Sequence, residues 1–408
     1  MRLILHDAIA DVSADQWNAL AGDACPFLRH EFLAAAELTG CVAPASGWIP
    51  QHLTVEQDGR LLGAMPLYQK DHSWGEFVFD WAWASAYERA GLPYFPKLVS
   101  AVPFTPAPSS RLLLEKTAGP EIARMLLEGA IALAEETTCS SLHVLFPLEE
   151  ELPLLRDAGL QVRKDCQFHW RNRNYADFEA FLQMFTAAKR KKAKRDRRRV
   201  SEAGIHFRRL HGGDIDQATW KVVFQLISTT FMRRGSLPYF NLDFFLRVGE
   251  SLPENILVIL AEKDASPVAA ALFFESATTL YGRYWGSNGR YDALHFETCY
   301  YQGIDYCIEK GLQVFEPGTQ ASTRSVVDSY PFPPGQPIGW RTLNFCRRSA
   351  NTLTRKHAMS IATWIPSMRT AHTVTTIPRT AHEFEKPCCL DIGRRPARRI
   401  SRDRNRDA

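Results

Sequence analysis

The apolar positions between residues 278 and 318 change from the spacing of a strand to that of a helix and back. Residues 278–286 are rich in β-branched and aromatic side chains, and a Ser-Asn-Gly cluster at 287–289 ends the run. From Phe296 the apolar residues recur at i, i+3, i+4, i+7 and i+8. Gly311 can cap this helix, and residues 312–316 read as a short buried strand before Pro317. The pattern therefore predicts strand, turn, helix and strand.

Polar and aromatic side chains gather at the start of this predicted helix. The face opposite the apolar stripe carries Glu297, Tyr301, Gln302 and Asp305. A helix packed between strands with such groups at its start is a plausible place for a ligand.

The same order of elements occurs twice along the chain. In the first half a helix is expected at 26–38 and a hairpin at 52–68. A helix from Pro120 and a strand at 142–146 follow. In the second half a helix is expected at 240–248 and a hairpin at 256–275. A strand at 278–286, a helix from 296 and a strand at 312–316 follow. Gly129 and Gly303 occupy equivalent positions in the apolar stripes of the two long predicted helices. We interpret this repetition as an internal duplication of a mixed α/β unit.

Composition narrows the class of protein without naming a function. The chain has 408 residues, enough for two domains, with 45% hydrophobic and 23% charged residues. No run approaches eighteen apolar residues, and acidic residues stand where a signal peptide would have its apolar core, so we expect a cytoplasmic protein without a transmembrane segment. The nine cysteines form no C-x-x-C pair, which favours reduced thiols over a disulfide frame or a zinc site.

Several segments of the chain resemble one bacterial family. They are GWIPQHL (47–53), GAMPLYQKDHSWGEFVFDWAWASAYERAGLPYFPKL (63–98), AVPFTP (101–106), YGRYWG (281–286) and LHFETCYYQGIDYCIEKGLQVFEPGTQ (294–320). Over roughly residues 20–320 the sequence is similar to the FemAB-like family, which is linked to peptidoglycan biosynthesis and resembles the tandem, Fem-type form of the GNAT acyltransferase fold. Fem-type enzymes transfer an amino acid from aminoacyl-tRNA to the peptide of a cell-wall precursor.

The resemblance implies an α/β fold of two tandem GNAT-like domains, with mixed sheets flanked by helices and a largely irregular C-terminal tail. The predicted parts are a first domain at 1–175 with an aromatic insertion at 70–110, a basic helical linker at 176–205, a second, truncated domain at 206–320 and the tail at 321–408. It also implies transfer of an acyl or aminoacyl group to an amine.

A dense run of basic residues lies between the two halves. Nine of the eleven residues from 189 to 199 are basic: Lys189, Arg190, Lys191, Lys192, Lys194, Arg195, Arg197, Arg198 and Arg199. Such a run is either a solvated linking helix or a binding site for phosphate, since like charges at i, i+4 repel unless an anion relieves them. A tRNA backbone, a nucleotide diphosphate or a lipid headgroup would each suit it, and Fem-type proteins carry a basic helix here.

The aromatic insertion supplies a second group of candidates. Its density of aromatic residues favours mutual packing, yet its prolines and weak periodicity are typical of a binding loop. We single out Asp80, Trp83, Tyr87, Glu88 and Lys97 there, with Arg283 and Trp285 on the second-half strand, as candidate substrate-binding residues. A buried Asp80 must find a donor, either a protein cation or a substrate ammonium group.

The entrance of the helix at 296 supplies the catalytic candidates. Acyl transfer to an amine requires a proton acceptor for the amine and a donor for the leaving group. Glu297 or His295 could accept the proton, and Tyr284 or Tyr301 could donate one. The structural alternative is that His295 caps the helix and Glu297 complements its dipole.

The donor and the rival functions stay open at the level of sequence. The pyrophosphate-binding turn of acetyl-CoA-dependent GNAT enzymes, R/Q-x-x-G-x-G/A, is missing from the expected strand–helix junctions, which favours aminoacyl-tRNA over acetyl-CoA. An acetyl-CoA-dependent N-acetyltransferase is the rival enzyme. A non-catalytic module that binds wall precursors or RNA is the third candidate.

The likeness to the family stops after Gln320. The family continues with Gly-Glu-His-Lys, Arg-Gly-Phe and Ser-Ala-His-Trp segments, whereas residues 321–408 have no sustained apolar period. Restoring one G before the codon of Ala321 lets residues 321–332 and 336–346 encode those segments in one frame. We therefore hypothesise a one-nucleotide frameshift, which would leave the sheet edge after Glu316 unpaired and this chain unstable or inactive.

Overall fold

The structure is a computed structural model that describes residues 1–78, 80–318 and 358–364. The strands of the first half and the tail are β1 (Arg2–His6), β2 (Trp48–Pro50), β3 (His52–Gln57), β4 (Arg60–Met65), β5 (Tyr68–Lys70), β6 (Lys97–Ser100), β7 (Leu113–Leu114), β8 (Leu142–Leu145), β9 (Gln161–Cys166) and, from the tail, β16 (Ala358–Trp364). The remaining strands are β10 (Trp170–Arg171), β11 (Ile205–His211), β12 (Ile256–Lys263), β13 (Ser266–Glu275), β14 (Thr279–Ser287) and β15 (Val314–Glu316).

Helices connect these strands and cover the sheets. They are α1 (Ala14–Ala21), α2 (His30–Leu38), α3 (Trp81–Arg89), α4 (Pro120–Glu136), α5 (Leu152–Asp157), α6 (Phe178–Gln183), α7 (Ala187–Glu202), α8 (Gln217–Met232), α9 (Leu242–Ser251), α10 (Leu294–Phe296) and α11 (Gln302–Lys310). A π-helical turn, Glu297–Tyr301, joins α10 to α11. Among the residues that the structure describes, no helix has the length and apolarity needed to cross a bilayer.

Each half is built around a parallel strand–helix–strand unit. In the first half β6 and β8 are parallel and α4 lies between them in the chain. In the second half β14 and β15 are parallel and the α10–α11 segment connects them. The hairpin of each half, β3 with β4 and β12 with β13, is antiparallel as its turn predicts. The repeated element order of the sequence is therefore present in the strand pairing.

The two halves share one aromatic core. Phe27 and Phe32 of the first half contact Phe274, with ring centroids 5.0 and 5.6 Å apart, and Phe32 also lies 5.2 Å from Phe244. All four side chains are fully buried. Burial of large aromatic rings is among the strongest contributions to packing, so the halves are held together by apolar contact at this seam.

The structure corrects the expectation of an unpaired edge after Glu316. Strand β10 pairs antiparallel with β15, placing Trp170 opposite Phe315, so the six-stranded sheet runs β10-β15-β14-β13-β12-β11. Trp170 is buried. A two-residue strand is sufficient here because β15 itself has only three residues.

One described segment of the tail also differs from the irregular structure expected there. Strand β16 pairs antiparallel with both β8 and β9, in a six-stranded sheet of order β2-β5-β6-β8-β16-β9. Its sequence, AMSIATW, alternates small and larger residues over only a few positions, in a tail without a sustained apolar period, and so gave little signal of a strand. The rest of the predicted out-of-frame tail, at 321–357 and 365–408, lies outside the described residues.

Candidate functional site

Two neighbouring strands of the second-half sheet, β14 and β15, diverge and open a cleft between them. Strand β14 pairs with β15 only at residues 279–281, then continues to Ser287 while β15 ends at Glu316. The pairing of β14 with β13 shifts register at the same level, because Leu272 is opposite Tyr284 but Phe273 is opposite Gly282. Arg283 is therefore the extra residue of a β-bulge. Bulges redirect side chains and are frequent beside active sites.

Helix α8 closes one side of this cleft by bonding to the unpaired part of β14. Thr230 Oγ1 donates to the carbonyl oxygen of Trp285 at 2.6 Å, and Arg233 Nη2 donates to that of Ser287 at 2.8 Å. Gly286 permits the approach, since a Cβ atom there would lie 1.8 Å from the carbonyl oxygen of Leu226. Side chains thus satisfy carbonyl groups that β15 does not reach.

A cavity of about 270 Å³ occupies the cleft, at the seam between the two halves. Its aromatic walls come from both halves: Phe77, Phe104, Phe231, Tyr239, Tyr284 and Tyr300. Its polar side chains are those of Thr230, Arg234, Ser236, Arg283, Trp285 and His295. Apolar walls with a few converging polar groups are characteristic of small-molecule sites.

Two of the four predicted catalytic residues, Tyr284 and His295, line this cavity. Burial raises the pKa of the Tyr284 phenol, so it keeps its proton at neutral pH. Burial lowers the pKa of His295 to about 4, so its imidazole is neutral. The ring of His295 lies edge-on to Trp285 with centroids 4.7 Å apart, which fixes its position. One protonated donor and one neutral acceptor therefore share the cavity.

The structure places the other two, Glu297 and Tyr301, elsewhere. Glu297 is 2% exposed and lines a second cavity of about 400 Å³ beside α7, where its carboxylate lies 3.2 Å from Arg197 Nε. Burial raises the pKa of Glu297, while Arg197 acts against that rise. Tyr301 is buried against Phe178, with ring centroids 5.8 Å apart. Helices α6 and α7 cover this face of the α10–α11 segment, which a helical pattern alone does not reveal.

Asp80 and Lys97 form a buried ion pair within the insertion. Lys97 Nζ lies 2.5 Å from Asp80 Oδ2 and 2.9 Å from Glu76 Oε2, and all three side chains are buried. Ser73 and Tyr94 also donate to Asp80 Oδ2. Burial alone would raise the pKa of Asp80, but Lys97 together with the hydrogen bonds from Tyr94 and Ser73 outweighs it, and the pKa lies below its usual value. The donor that Asp80 requires is thus a protein cation.

The other insertion candidates lie on α3, which has no buried residue. Trp83 is 38% exposed, Glu88 is exposed, and the half-buried Tyr87 donates to the carbonyl oxygen of Ser140. Among the described residues, the insertion side chains that line the cavity are Phe77, Phe104 and Pro106 instead. Of the seven predicted substrate-binding residues, the cavity brings together Arg283 and Trp285.

The predicted basic linker forms helix α7. Its buried residues Ala193, Asp196 and Val200 recur at helical spacing and face the core. Its cations divide into an exposed group, Lys191, Lys194, Arg195, Arg198 and Arg199, and a half-buried group, Lys189, Arg190, Lys192 and Arg197. Arg197 is engaged by Glu297 and by Asp305, both at 3.2 Å. Within the exposed group, Lys194 is paired with Glu179 and Arg198 with Glu202, at 2.5 and 3.5 Å. Among the described residues of this face, the other exposed cations, Lys191, Arg195 and Arg199, are free to meet a phosphate-bearing partner.

Sequence reasoning missed the contribution of α8 and the segment after it to the cavity. Thr230 and Phe231 lie at the end of that helix, and Arg234, Ser236 and Tyr239 follow it. The signal was present, because Asp216 caps the helix and buried apolar residues recur from Trp220 to Ile227 at helical spacing.

A family model covers most of this chain. The model of FemAB-like proteins, described as peptidoglycan biosynthesis/recognition, matches residues 8–326. The matched range includes both halves, the cavity and α7, and it ends close to Gln320, where the sequence likeness stops. A search of curated proteins finds no match.

Solved structures share the fold at low sequence identity. The crystal structure of FemX is 12% identical, with a TM-score of 0.50 over 90% of this chain and 97% of that chain. The C-terminal domain of a putative lysylphosphatidylglycerol synthetase from Agrobacterium fabrum is 9% identical, with a TM-score of 0.51 over 87% and 92%. A tandem GNAT protein from the clavulanic acid pathway is 13% identical, with a TM-score of 0.44 over 89% and 98%. FemX and the synthetase domain confirm the predicted fold class, and at these identities the likeness concerns fold alone.

Proposed function

Because the chain belongs to the FemAB-like family, we propose that it is an acyltransferase acting in the cavity where β14 and β15 part. The transferred group is an acyl or aminoacyl group, the donor is aminoacyl-tRNA, and the acceptor is an amine of a peptidoglycan precursor. The observation that carries the proposal is that a protonated Tyr284 and a neutral His295 line the same aromatic cavity at the seam.

Acyl transfer to an amine requires that one proton leaves the amine and that one proton reaches the leaving group. The amine nitrogen attacks the ester carbonyl carbon of the donor, a C–N bond forms, and the C–O bond to the ribose oxygen breaks. Tyr284 can donate its phenolic proton to that oxygen. His295, neutral at pH 7, can take the proton that leaves the attacking amine, and return of that proton to the Tyr284 phenolate restores both groups. Glu297 fits a positioning role better, since its carboxylate is bound to Arg197 of α7.

The exposed cations of α7 support a nucleic-acid donor. Lys191, Lys194 and Arg195 lie on its outer face. A polyanion bound there through its backbone would weaken with salt, because binding releases counterions. We expect Lys191→Glu with Arg195→Glu to weaken tRNA binding and flatten its dependence on salt, as measured by filter binding at several salt concentrations. The control Lys221→Glu alters an exposed cation of α8 and should leave both unchanged.

The donor is tested by assaying the chain as it stands and a version with the frame restored after Gln320. Both are incubated with a peptide amine and either charged tRNA or acetyl-CoA, and the acylated product is measured by mass spectrometry. We expect product with charged tRNA. Micromolar binding of acetyl-CoA in a calorimetric titration would instead favour the N-acetyltransferase. Tight acceptor binding without turnover, unaffected by replacing Glu297 and His295, would identify a non-catalytic module for wall precursors or RNA.

A further inference from the structure

Arg283 presents two hydrogen-bond donors that no described group of the protein accepts. Its side chain is 6% exposed and lines the cavity. Nη1 is anchored, donating to the carbonyl oxygen of Gly282 at 2.9 Å and to Glu316 Oε1 at 3.0 Å. Nε and Nη2 are buried and have no partner among the described residues. Leaving buried charged donors unpaired is costly, so this arrangement indicates a site for a hydrogen-bond acceptor.

The two unpaired atoms form one chemical unit. Nε–H and one N–H of Nη2 point along the same side of the planar guanidinium, which is the edge that binds a carboxylate or a phosphate through two parallel hydrogen bonds. The anchor on Nη1 and the rings of Phe27 and Tyr281, 4.7 and 5.3 Å from the guanidinium carbon, hold that plane in place. Trp285 Nε1 is a further buried donor without a described partner, on the same wall.

The charge of the cavity agrees with an anionic ligand. Among the described residues that line it there are two arginines, Arg234 and Arg283, and no Asp or Glu. Glu316, which is 1% exposed, neutralises Arg283 from behind, and Gln167 Nε2 donates to the same carboxylate oxygen at 2.9 Å. Glu316 therefore balances the charge of Arg283 without occupying its Nε–Nη2 edge, and that edge supplies the selection for a planar anion.

We propose that this edge of Arg283 binds the carboxylate of the acceptor, so that the acceptor is a small amino acid or a peptide end that carries a free carboxylate beside its amine. The inference rests on the proposed function. An activated acyl donor has its own carboxyl carbon bound in an ester or a thioester, so a free carboxylate in the cavity belongs to the acceptor. The volume of about 270 Å³ suits such a group and is too small for a polymer.

The test compares acids with their amides on the full chain. Wild-type protein is screened by thermal shift against free amino acids and simple dipeptides and against the corresponding carboxamides, and the hits are measured by calorimetry. We expect at least one acid to bind, and its amide to bind at least about ten-fold more weakly, which corresponds to about 1.4 kcal/mol. Arg283→Lys keeps the charge but loses the fork, and should weaken the acid to the level of the amide. Arg290→Lys, an exposed site on the next loop, is the matched control.

Three results would overturn the inference. One is that no acid binds, and another is that acid and amide bind equally to the wild type, a comparison that does not depend on how Arg283→Lys folds. The third is that inorganic phosphate binds this site more tightly than every acid, which would assign the fork to a phosphate of the donor. Binding is measured without turnover, so this test is separate from the test of the proposed function. A chain without transferase activity can still bind the acid through Arg283, and an active chain can lack this carboxylate site.

Discussion

The Lys97→Met substitution would remove the cation that serves two buried carboxylates of the aromatic insertion. Lys97 is fully buried, and its Nζ lies 2.5 Å from Asp80 and 2.9 Å from Glu76. Met has a similar length and no charge. The variant would keep the volume of the side chain while leaving Asp80 and Glu76 without their shared partner.

The expected loss of stability at pH 7 is about 3–5 kcal/mol, the usual cost of removing one partner of a buried ion pair. The loss should depend on pH. In the wild type the pKa of Asp80 is lowered, so the pair stabilises the fold above the unfolded pKa of about 3.9, and this stability is lost as pH falls through the folded pKa. Burial already raises the pKa of Glu76 to about 7 in the wild type. In the variant the loss of the cation raises the pKa of both carboxyl groups further, so protonation relieves the penalty. The difference between variant and wild type should therefore shrink on going from pH 7 to pH 5.

The assay is urea unfolding followed by tryptophan fluorescence at the two pH values. Lys221→Met, which alters an exposed cation of α8, is the control and should change stability by no more than about 0.5 kcal/mol. A Lys97→Met chain as stable as this control at pH 7 would show that the ion pair does not stabilise the fold. A large loss of stability that does not change with pH would show that the two carboxylates are not its cause. Since Phe77 follows Glu76 and lines the cavity, the variant should also bind acceptor more weakly.

Three further predictions concern the site and its supports. Tyr284→Phe should lower kcat by about 10²-fold or more, as expected for loss of a proton donor, while the melting temperature stays near that of the wild type. An unchanged kcat would show that Tyr284 does not donate the proton. Arg197→Met should destabilise the fold by about 1–3 kcal/mol in chemical unfolding, because the buried Glu297 carboxylate keeps its hydrogen bond from Gln302 but loses its cation. Arg198→Met alters an exposed pair and should have almost no effect, and equal effects of the two variants would contradict the assigned contacts. Gly286→Ala should cost about 1–3 kcal/mol through its clash with the carbonyl oxygen of Leu226, and a melting temperature equal to that of the wild type would refute the close approach of α8 to β14.

Much of the second half was predictable because its elements are defined by local periodicity. The hairpin expected at 256–261 and 268–275 pairs Ile256 with Phe274 and Leu260 with Ala270. The strand, helix and strand from 278 to 316 are also present, with α11 ending at Gly311 in the left-handed conformation.

The geometry of the site depends on features that periodicity does not encode. The bulge that makes Arg283 an extra residue follows from the register of β13 against β14, which one strand's sequence does not reveal. Glu297 and Tyr301 lie in a π-helical turn and are covered by α7 and α6, so a face that looks polar in sequence is buried. The predicted domain boundaries and the frameshift stay predictions.

The most direct test asks whether acyl transfer takes place in the cavity at the seam. Ser236 is exposed at the cavity and Ser251 is exposed at the end of α9, so Ser236→Trp fills the mouth of the cavity and Ser251→Trp is its matched control. Transfer of a labelled aminoacyl group from charged tRNA to a peptide amine is measured for the frame-restored chain and for both variants in that background. We expect Ser236→Trp to abolish product while Ser251→Trp forms it as the parent does. A Ser236→Trp chain as active as its parent would show that acyl transfer does not take place in this cavity.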